Sequence, residues 1–320
     1  MVAYAIRRLL AAIPVLLFST FVMFWVVSSA NDPLAELRIS CPQCSDSAYQ
    51  RITDLYNLDQ PIPERYVTWL SNAVTGDFGV SPEFGEAPVA PIVRERAINT
   101  LYLAVPASII VVVFSAGLAM YSALKQYSLG DYATTAFTYL GLALPTFVFG
   151  LLLQVFWGVW WQDWTGTKPF WTSGLHTESV GQFISSITLP ITTLVIVSVA
   201  SDTRFGRTAM LETRNADFIR TARAKGVPER TIVLKHMLRA ALIPMVTVWA
   251  LTFGTLLGGA LVTESIFAWP GLGRLLIGGV FTADVNITMA AVLIVGVLAI
   301  TFNLLADLTY GWLDPRVRFD

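Results

Sequence analysis

An all-helical, polytopic membrane protein is the fold class this sequence predicts, and three observations carry it. Of 320 residues, 55% are hydrophobic and only 13% charged, whereas soluble domains carry about a quarter charged residues. Six continuous apolar stretches, at about 9–30, 98–124, 132–161, 184–203, 240–263 and 286–312, each reach the roughly 20 residues that cross a hydrocarbon core about 30 Å thick. The Lys and Arg residues are distributed unevenly between the segments that join them. Runs of this kind are helical, because lipid offers no partner to a backbone N–H or C=O. A membrane barrel would show short alternating segments instead.

The first stretch follows Arg7-Arg8, and Ser28-Ser29-Ala30 has the small residues of a cleavage site. Its apolar run is longer than the core of a signal peptide, so it reads as a retained first span behind a basic anchor. With the amino terminus inside, the inner segments hold 14 Lys and Arg and the longer outer ones hold 7. That bias predicts both termini on the cytoplasmic side.

The external loop at 31–97 is too long for a simple connector and is acidic, with ten Asp and Glu against five Arg between Asn31 and Arg96. Pro61-Ile-Pro63 is expected to open a helix with Tyr66, Val67, Trp69, Leu70 and Ala73 on one face, lying on the membrane or over the bundle. Gly76 to Gly79 and Pro82 to Pro91 read as extended chain. Cys41 and Cys44, the two cysteines of the chain, form either a local disulfide or two inert thiols in this oxidising compartment. A redox or metal role lacks the accompanying residues.

Trp157, Trp160, Trp161, Trp164 and Trp171 cluster at the outer end of the third stretch, as interfacial aromatics do. In the fifth, Gly254, Gly258 and Gly259 let helix backbones approach closely. They serve either a partner subunit or packing within the chain. Polar Thr193, Ser198, Thr252 and Thr255 are candidates to line a solute path, against simple bonding to their own helix carbonyls. Asp202, Glu264 and Asp307 fall near span ends, where water or headgroups solvate them, and this argues against a proton-coupled carrier.

No phosphate-binding loop, zinc-binding His-Glu-x-x-His helix or Gly-x-Ser-x-Gly nucleophile elbow occurs in the sequence. His176 and His236 each stand alone. The chain therefore reads as a non-enzyme that holds no metal or cofactor, and its charge pattern does not suggest a nucleic-acid partner.

The cytoplasmic segment at 204–239 has nine Lys and Arg against three acids. Within it, Asp217 is expected to cap a short helix, Gly226 to end it in the left-handed conformation, and Pro228 with Glu229 to start the next. Phe218, Ile219 and Ala222 give an apolar edge, and small Ala222 and Ala224 suit close contact with a groove. A basic amphipathic segment on anionic lipid is the plainer alternative, but a sharp Gly-Pro corner fits a docking element better.

Arg220-Thr-Ala-Arg-Ala-Lys-Gly226, Leu238-Arg-Ala-Ala-Leu-Ile-Pro244 and Glu264-Ser-Ile-Phe-Ala-Trp-Pro270-Gly271-Leu-Gly273 resemble blocks of the permease subunits of ATP-binding-cassette importers. Leu58-Asp-Gln-Pro61, Asn99-Thr-Leu101 and Leu313-Asp-Pro-Arg316 extend the resemblance nearly end to end, in the dipeptide, oligopeptide and nickel branch. The wider family has Glu-Ala-Ala where this chain has Arg220, Thr221 and Ala222, so the contact made by Arg220 stays open. The resemblance implies an importer for peptides, or for another solute such as glutathione or a nickel complex. Its implied partners are a second homologous permease, two cytoplasmic ATPase subunits or domains that hold ATP and Mg²⁺, and an extracytoplasmic binding protein. Asp217, Arg220, Ala222, Ala224, Lys225 and Gly226 would form the coupling element. An ion-driven secondary transporter is the competing class.

Overall fold

The computed structural model describes residues 2–30 and 33–313. Asp314, Pro315, Arg316 and Arg318, used in the terminal motif and the charge count, lie outside the described residues, as do the surroundings of Thr255, Gly259 and Asp307. In chain order the helices are α1 (Val2–Ala30), α2 (Pro33–Ser40), α3 (Asp46–Tyr56), α4 (Ile62–Val74) and, after a two-stranded hairpin of β1 (Val80–Ser81) and β2 (Ala87–Pro88), α5 (Val89–Leu124). They continue with α6 (Leu129–Ala143), α7 (Thr146–Val155), a π-helical stretch Phe156–Trp160, α8 (Trp161–Thr165) and α9 (Val180–Arg214). Then come α10 (Asp217–Ala224), α11 (Glu229–Thr231), a second π-helical stretch Ile232–Met237, α12 (Leu238–Ile266), α13 (Leu272–Phe281) and α14 (Val285–Leu313).

Five helices among the described residues are long and apolar enough to cross a membrane, and a bent pair makes a sixth. That pair corrects the continuous span expected at 132–161. Helices α6 and α7 to α8 meet at 101° because Pro145 cannot donate a helical hydrogen bond and forces its neighbour out of helical backbone. Leu144 is accordingly extended, at φ −97° and ψ 127°.

A second correction concerns the start of the basic segment. Helix α9 does not stop at 203 but runs to Arg214, so its 35 residues extend about 52 Å, well beyond the hydrocarbon thickness. Asp202 is therefore inside a helix and 2% exposed, not solvated at a span end. Thr252 Oγ1 donates to both its carboxylate oxygens, at 3.1 and 3.2 Å. Glu264 is likewise fully buried.

The chain divides into two compact units. One comprises residues 1–8, 101–269 and 299–320, and the other residues 9–100 and 270–298. In the first, α9 packs against α6, α7 and α12, around Leu103, Ala107, Leu194, Met245 and Trp249. Trp249 Nε1 donates to Ser115 Oγ at 3.0 Å, which satisfies the one polar atom of this buried ring.

The second unit holds the external segment, which is itself largely helical. Helix α4 packs on the outer half of α1 through an aromatic cluster, with Tyr66 edge-on to Phe21 and Phe24 at 5.2 and 5.6 Å between ring centres. Its buried face is Arg65, Tyr66, Trp69 and Ala73, while Val67, expected on that face, is 63% exposed. Position 67 lies about 200° around the helix from Arg65 and so points away. Cys41 and Cys44 are joined as a disulfide just beyond α2.

Asp284 organises the junction before α14. Its carboxylate caps the helix by accepting from the Ile287 N–H at 3.1 Å, and it accepts a hydrogen bond from Ser81 Oγ. Tyr56 Oη approaches it at 3.4 Å. Burial, with help from Glu83, pushes the Asp284 carboxyl above the usual carboxylate range, and Ser81 opposes this. Burial next to Asp284 also raises the Tyr56 hydroxyl.

Candidate functional site

Two backbone features place α10. Asn215 and Ala216 break away from α9, and Ala216, in extended backbone at ψ 148°, becomes the N-cap of α10. Asp217 was expected in that place. It stands instead at the first helical position, its side chain 97% exposed and making no cap bond. Its charge still lies at the positive end of the helix. The far end closes as a Schellman turn: the Gly226 N–H bonds Arg223 O at 2.9 Å and the Val227 N–H bonds Ala222 O at 3.2 Å. Gly226 has φ +73°, where a side chain would strain the backbone.

Eight residues cannot hold a helix by themselves in water; burial must supply the rest. Ile219 is fully buried among Met210, Ile232, Met237, Ala123 and Ala241. Ala222 and Val227 pack against the same cluster. Ala222 thus faces its own bundle, a correction to its expected place on the docking surface. The outward face carries Phe218, Arg220, Thr221, Ala224 and Lys225, all exposed.

One charge pair bridges the corner. Arg223 spans the Gly226-Val227-Pro228 turn to grip Glu229 with two bonds, of 3.2 and 2.8 Å, and that bonding raises the Arg223 guanidinium above its ordinary value. Arg220 lies 3.6 Å from Asp217 on the same helix, an exposed pair of little energetic consequence. Arg214 donates to Ala123 O at 2.9 Å. Further along α9, Arg207 makes a two-pronged bridge to the buried Asp131, at 3.1 and 2.9 Å. Ser122 also donates to Asp131.

The other motif residues are tied into structure rather than grouped with α10. Asn99 Nδ2 donates to Pro270 O at 2.8 Å and Thr100 Oγ1 accepts from the Leu272 N–H at 2.8 Å, so two blocks distant in sequence meet. Gly271 caps α13 and Gly273 is buried in its first turn. The carbonyls that end α12 are covered by Gln154, bonded to Ile266 O at 2.9 Å, and by the Gly174 N–H, bonded to Phe267 O at 2.8 Å.

A Cβ on Gly258 would meet no atom within 4 Å, and one on Gly254 would only graze Asn303. Thr193 and Ser198 bond the Leu189 and Leu194 carbonyls of their own helix. His176 stacks on Trp171 at 3.9 Å between ring centres.

Sequence reasoning missed the Asp131–Arg207–Ser122 and Asp284–Ser81 clusters. Ser128-x-x-Asp131 and Asp284 ahead of an apolar run are both capping signatures that could have pointed to them.

Residues 115–319 match the family described as the binding-protein-dependent transport system inner membrane component. Residues 1–110 match its amino-terminal companion, the binding-protein-dependent transport system membrane component. The chain belongs to this family. It is a multi-pass inner-membrane permease subunit of a bacterial ATP-binding-cassette importer, not an ATPase.

Among its relatives are the "Oligopeptide transport system permease protein AppB" of Bacillus subtilis, 37% identical over the whole of both chains, and the "Oligopeptide transport system permease protein OppB" of Mycobacterium bovis, 36% identical over 99% of each. The "Glutathione transport system permease protein GsiC" of Escherichia coli is 34% identical over the whole of both. A solved structure of the MetNI methionine ABC transporter, in inward-facing conformations, superposes with a TM-score of 0.54 at 17% identity. It covers 70% of this chain and 96% of that one, and shows a shared fold.

Proposed function

We propose that this permease pairs with a homologous permease to form the path by which peptides enter the cell, and that α10 is its grip on a cytoplasmic ATPase. The observation that carries the second part is the division of α10 into two faces. Ile219 anchors it to the ends of α9 and α12, and the opposite face presents Phe218, Arg220, Ala224 and Lys225 outward. A short helix fixed to two membrane helices by a stiff corner passes an external push directly to both. That is the element a nucleotide-driven, two-state switch requires. ATP and Mg²⁺ would be held by two ATPase subunits or domains, with both ends of this chain on their side of the membrane.

The names of the relatives support a peptide as the solute, and glutathione is the second reading that those names favour. The open space over Gly258 supports α12 as a contact for the second permease, through Gly254, Gly258 and Gly259. An external binding protein would deliver solute onto segments 31–97 and 264–286, where Glu264, Pro270, Gly271 and Gly273 shape the chain.

The test is Ala224→Glu and Gly226→Pro in membrane-inserted protein. Both are expected to abolish peptide uptake and co-purification of the ATPase. Undiminished association and uptake would refute the role of α10, and uptake driven by an ion gradient without the ATPase would make the chain a secondary transporter.

A further inference from the structure

The first unit contains a cavity of about 230 Å³ between the end of α5, the middle of α6 and residues 203–208 of α9. Its wall is unusual for a segment of this hydropathy. Five threonines, Thr134, Thr135, Thr138, Thr203 and Thr208, line it together with Arg204 and Arg207. Arg207 is already neutralised by Asp131. Arg204 has no carboxylate partner among the described residues; its guanidinium lies 5.0 Å above the Tyr139 ring. The cavity therefore carries about one net positive charge; Thr134, Thr138 and Thr208 donate to the Gly130, Thr135 and Arg204 carbonyls of their own helices, which leaves the hydroxyls of Thr135 and Thr203 for a ligand. Thr203 adds an independent sign of a missing ligand. It is 1% exposed, and its hydroxyl has no hydrogen-bond partner among the described residues, an arrangement that is costly unless something occupies the site.

The location narrows what that ligand is. The apolar runs end at about 132 and 203, so residues 134–139 and 203–208 sit at the inner boundary of the hydrocarbon under the proposed orientation. Tyr132, Tyr139, Leu140 and Phe205 are exposed beside the cavity, which is the aromatic and aliphatic rim found at headgroup level. The Arg204 cation over an aromatic ring, in the same cavity wall as the Thr135 and Thr203 hydroxyls, is complementary to a phosphate ester whose acyl chains run along the apolar rim.

We infer that this cavity binds the phosphate of an acidic phospholipid of the inner leaflet, with Arg204 as the cationic contact and Thr203 among the hydroxyl donors. The inference rests on the proposed orientation of the chain and not on its solute or its ATPase, so it survives if either of those readings fails.

The experiment is native mass spectrometry of the detergent-purified permease, titrated separately with phosphatidylglycerol, phosphatidylcholine and inorganic phosphate. Phosphatidylglycerol is expected to be retained preferentially, with Arg204→Gln lowering its occupancy constant roughly fivefold, the effect of about 1 kcal/mol per basic residue at a membrane surface. Thr203→Val should weaken it further and Arg204→Lys should preserve most of it. Because Arg204 is exposed and Arg204→Gln leaves the Asp131–Arg207 bridge intact, unchanged thermal stability in delipidated detergent confirms that the variant is folded. Equal retention of the two lipids, or retention indifferent to Arg204→Gln and Thr203→Val, would overturn the inference. So would Arg204-dependent binding of inorganic phosphate alone at the same strength, which would make the ligand a soluble anion, such as a carboxylate of the transported solute.

Discussion

Ile219→Ala is the most informative single change, because it separates the presence of α10 from its position. Ile219 is fully buried and is the one buried residue of α10. Truncating a buried Ile to Ala costs about 2–5 kcal/mol, less where neighbours can close the space. Ala222 and Val227, only partly buried at the edge of this cluster, can close some of it, so the lower end, about 2 kcal/mol, applies here. The cost falls on local docking and leaves the membrane bundle standing, since the eight-residue helix has little stability of its own. An opening equilibrium shifted by about 2 kcal/mol is a factor of about 30. Hydrogen exchange followed by mass spectrometry should therefore show amides of 219–226 losing protection about 30-fold, with those of α5 and α12 unchanged. Peptide-stimulated uptake should fall in parallel while insertion stays normal. The reasoning fails if exchange in 219–226 is unaltered, since Ile219 would then not hold the helix. It fails equally if exchange rises 30-fold and uptake is untouched, since a loose α10 could not transmit a push.

Other outcomes follow from the same geometry. Gly226→Ala meets no steric obstacle and should cost only the left-handed backbone penalty, about 1–2 kcal/mol, read as a modest fall in uptake; a loss as complete as that of Gly226→Pro would contradict this. Asp131→Ala leaves Arg207 half-buried beside an empty site and should lower thermal stability by about 3 kcal/mol, with a smaller loss when Arg207→Met is added; an additive double mutant would show the bridge to be unimportant. The raised carboxyl of Asp284 binds its proton more tightly in the folded state, so its stabilisation is complete below the ordinary Asp value and fades as pH rises through the raised one. Limited proteolysis of the external segment should thus quicken as pH rises above the ordinary carboxylate range, and Asp284→Asn should flatten that dependence; a profile unchanged in the variant assigns it to another group. Cys41 and Cys44 should resist alkylation until reduced, and immediate labelling of the unreduced protein would refute their pairing.

The sequence was most legible where one force dominates. Apolar length governed the membrane helices, and all but the third stretch lie in single helices of the structure. The corner at Gly226 was readable because only a left-handed turn explains a glycine between Lys225 and Pro228. What stayed hidden was the interplay of two signals. Pro145 sits in an unbroken apolar run, and hydropathy gives no weight to its missing N–H. Arg204 and Arg207 mark a change in solvent, not a change in helix, so α9 continues through them to Arg214. The direction of Ala222 is not legible in the sequence, because small residues suit an outer groove and an inner seam equally well; Ile219, on one helical face with it, fixes that direction only through Met210 and Ile232 beneath. Asp202, Asp131 and Asp284 could not be sorted from the sequence into solvated and buried acids. Their partners Thr252, Arg207 and Ser81 are 50, 76 and 203 residues away.

The central claim is that the outer face of α10 touches an ATPase. Single cysteines at Ala224 and Lys225, on the exposed side, and at Val262, exposed at the far end of α12, provide the direct measurement by thiol cross-linking in membranes that contain the whole importer. Positions 224 and 225 are expected to capture the ATPase subunit, with a yield that changes on adding ATP, and position 262 to capture none. Absence of any ATPase adduct from 224 and 225, or an equal yield from 262, would contradict the account.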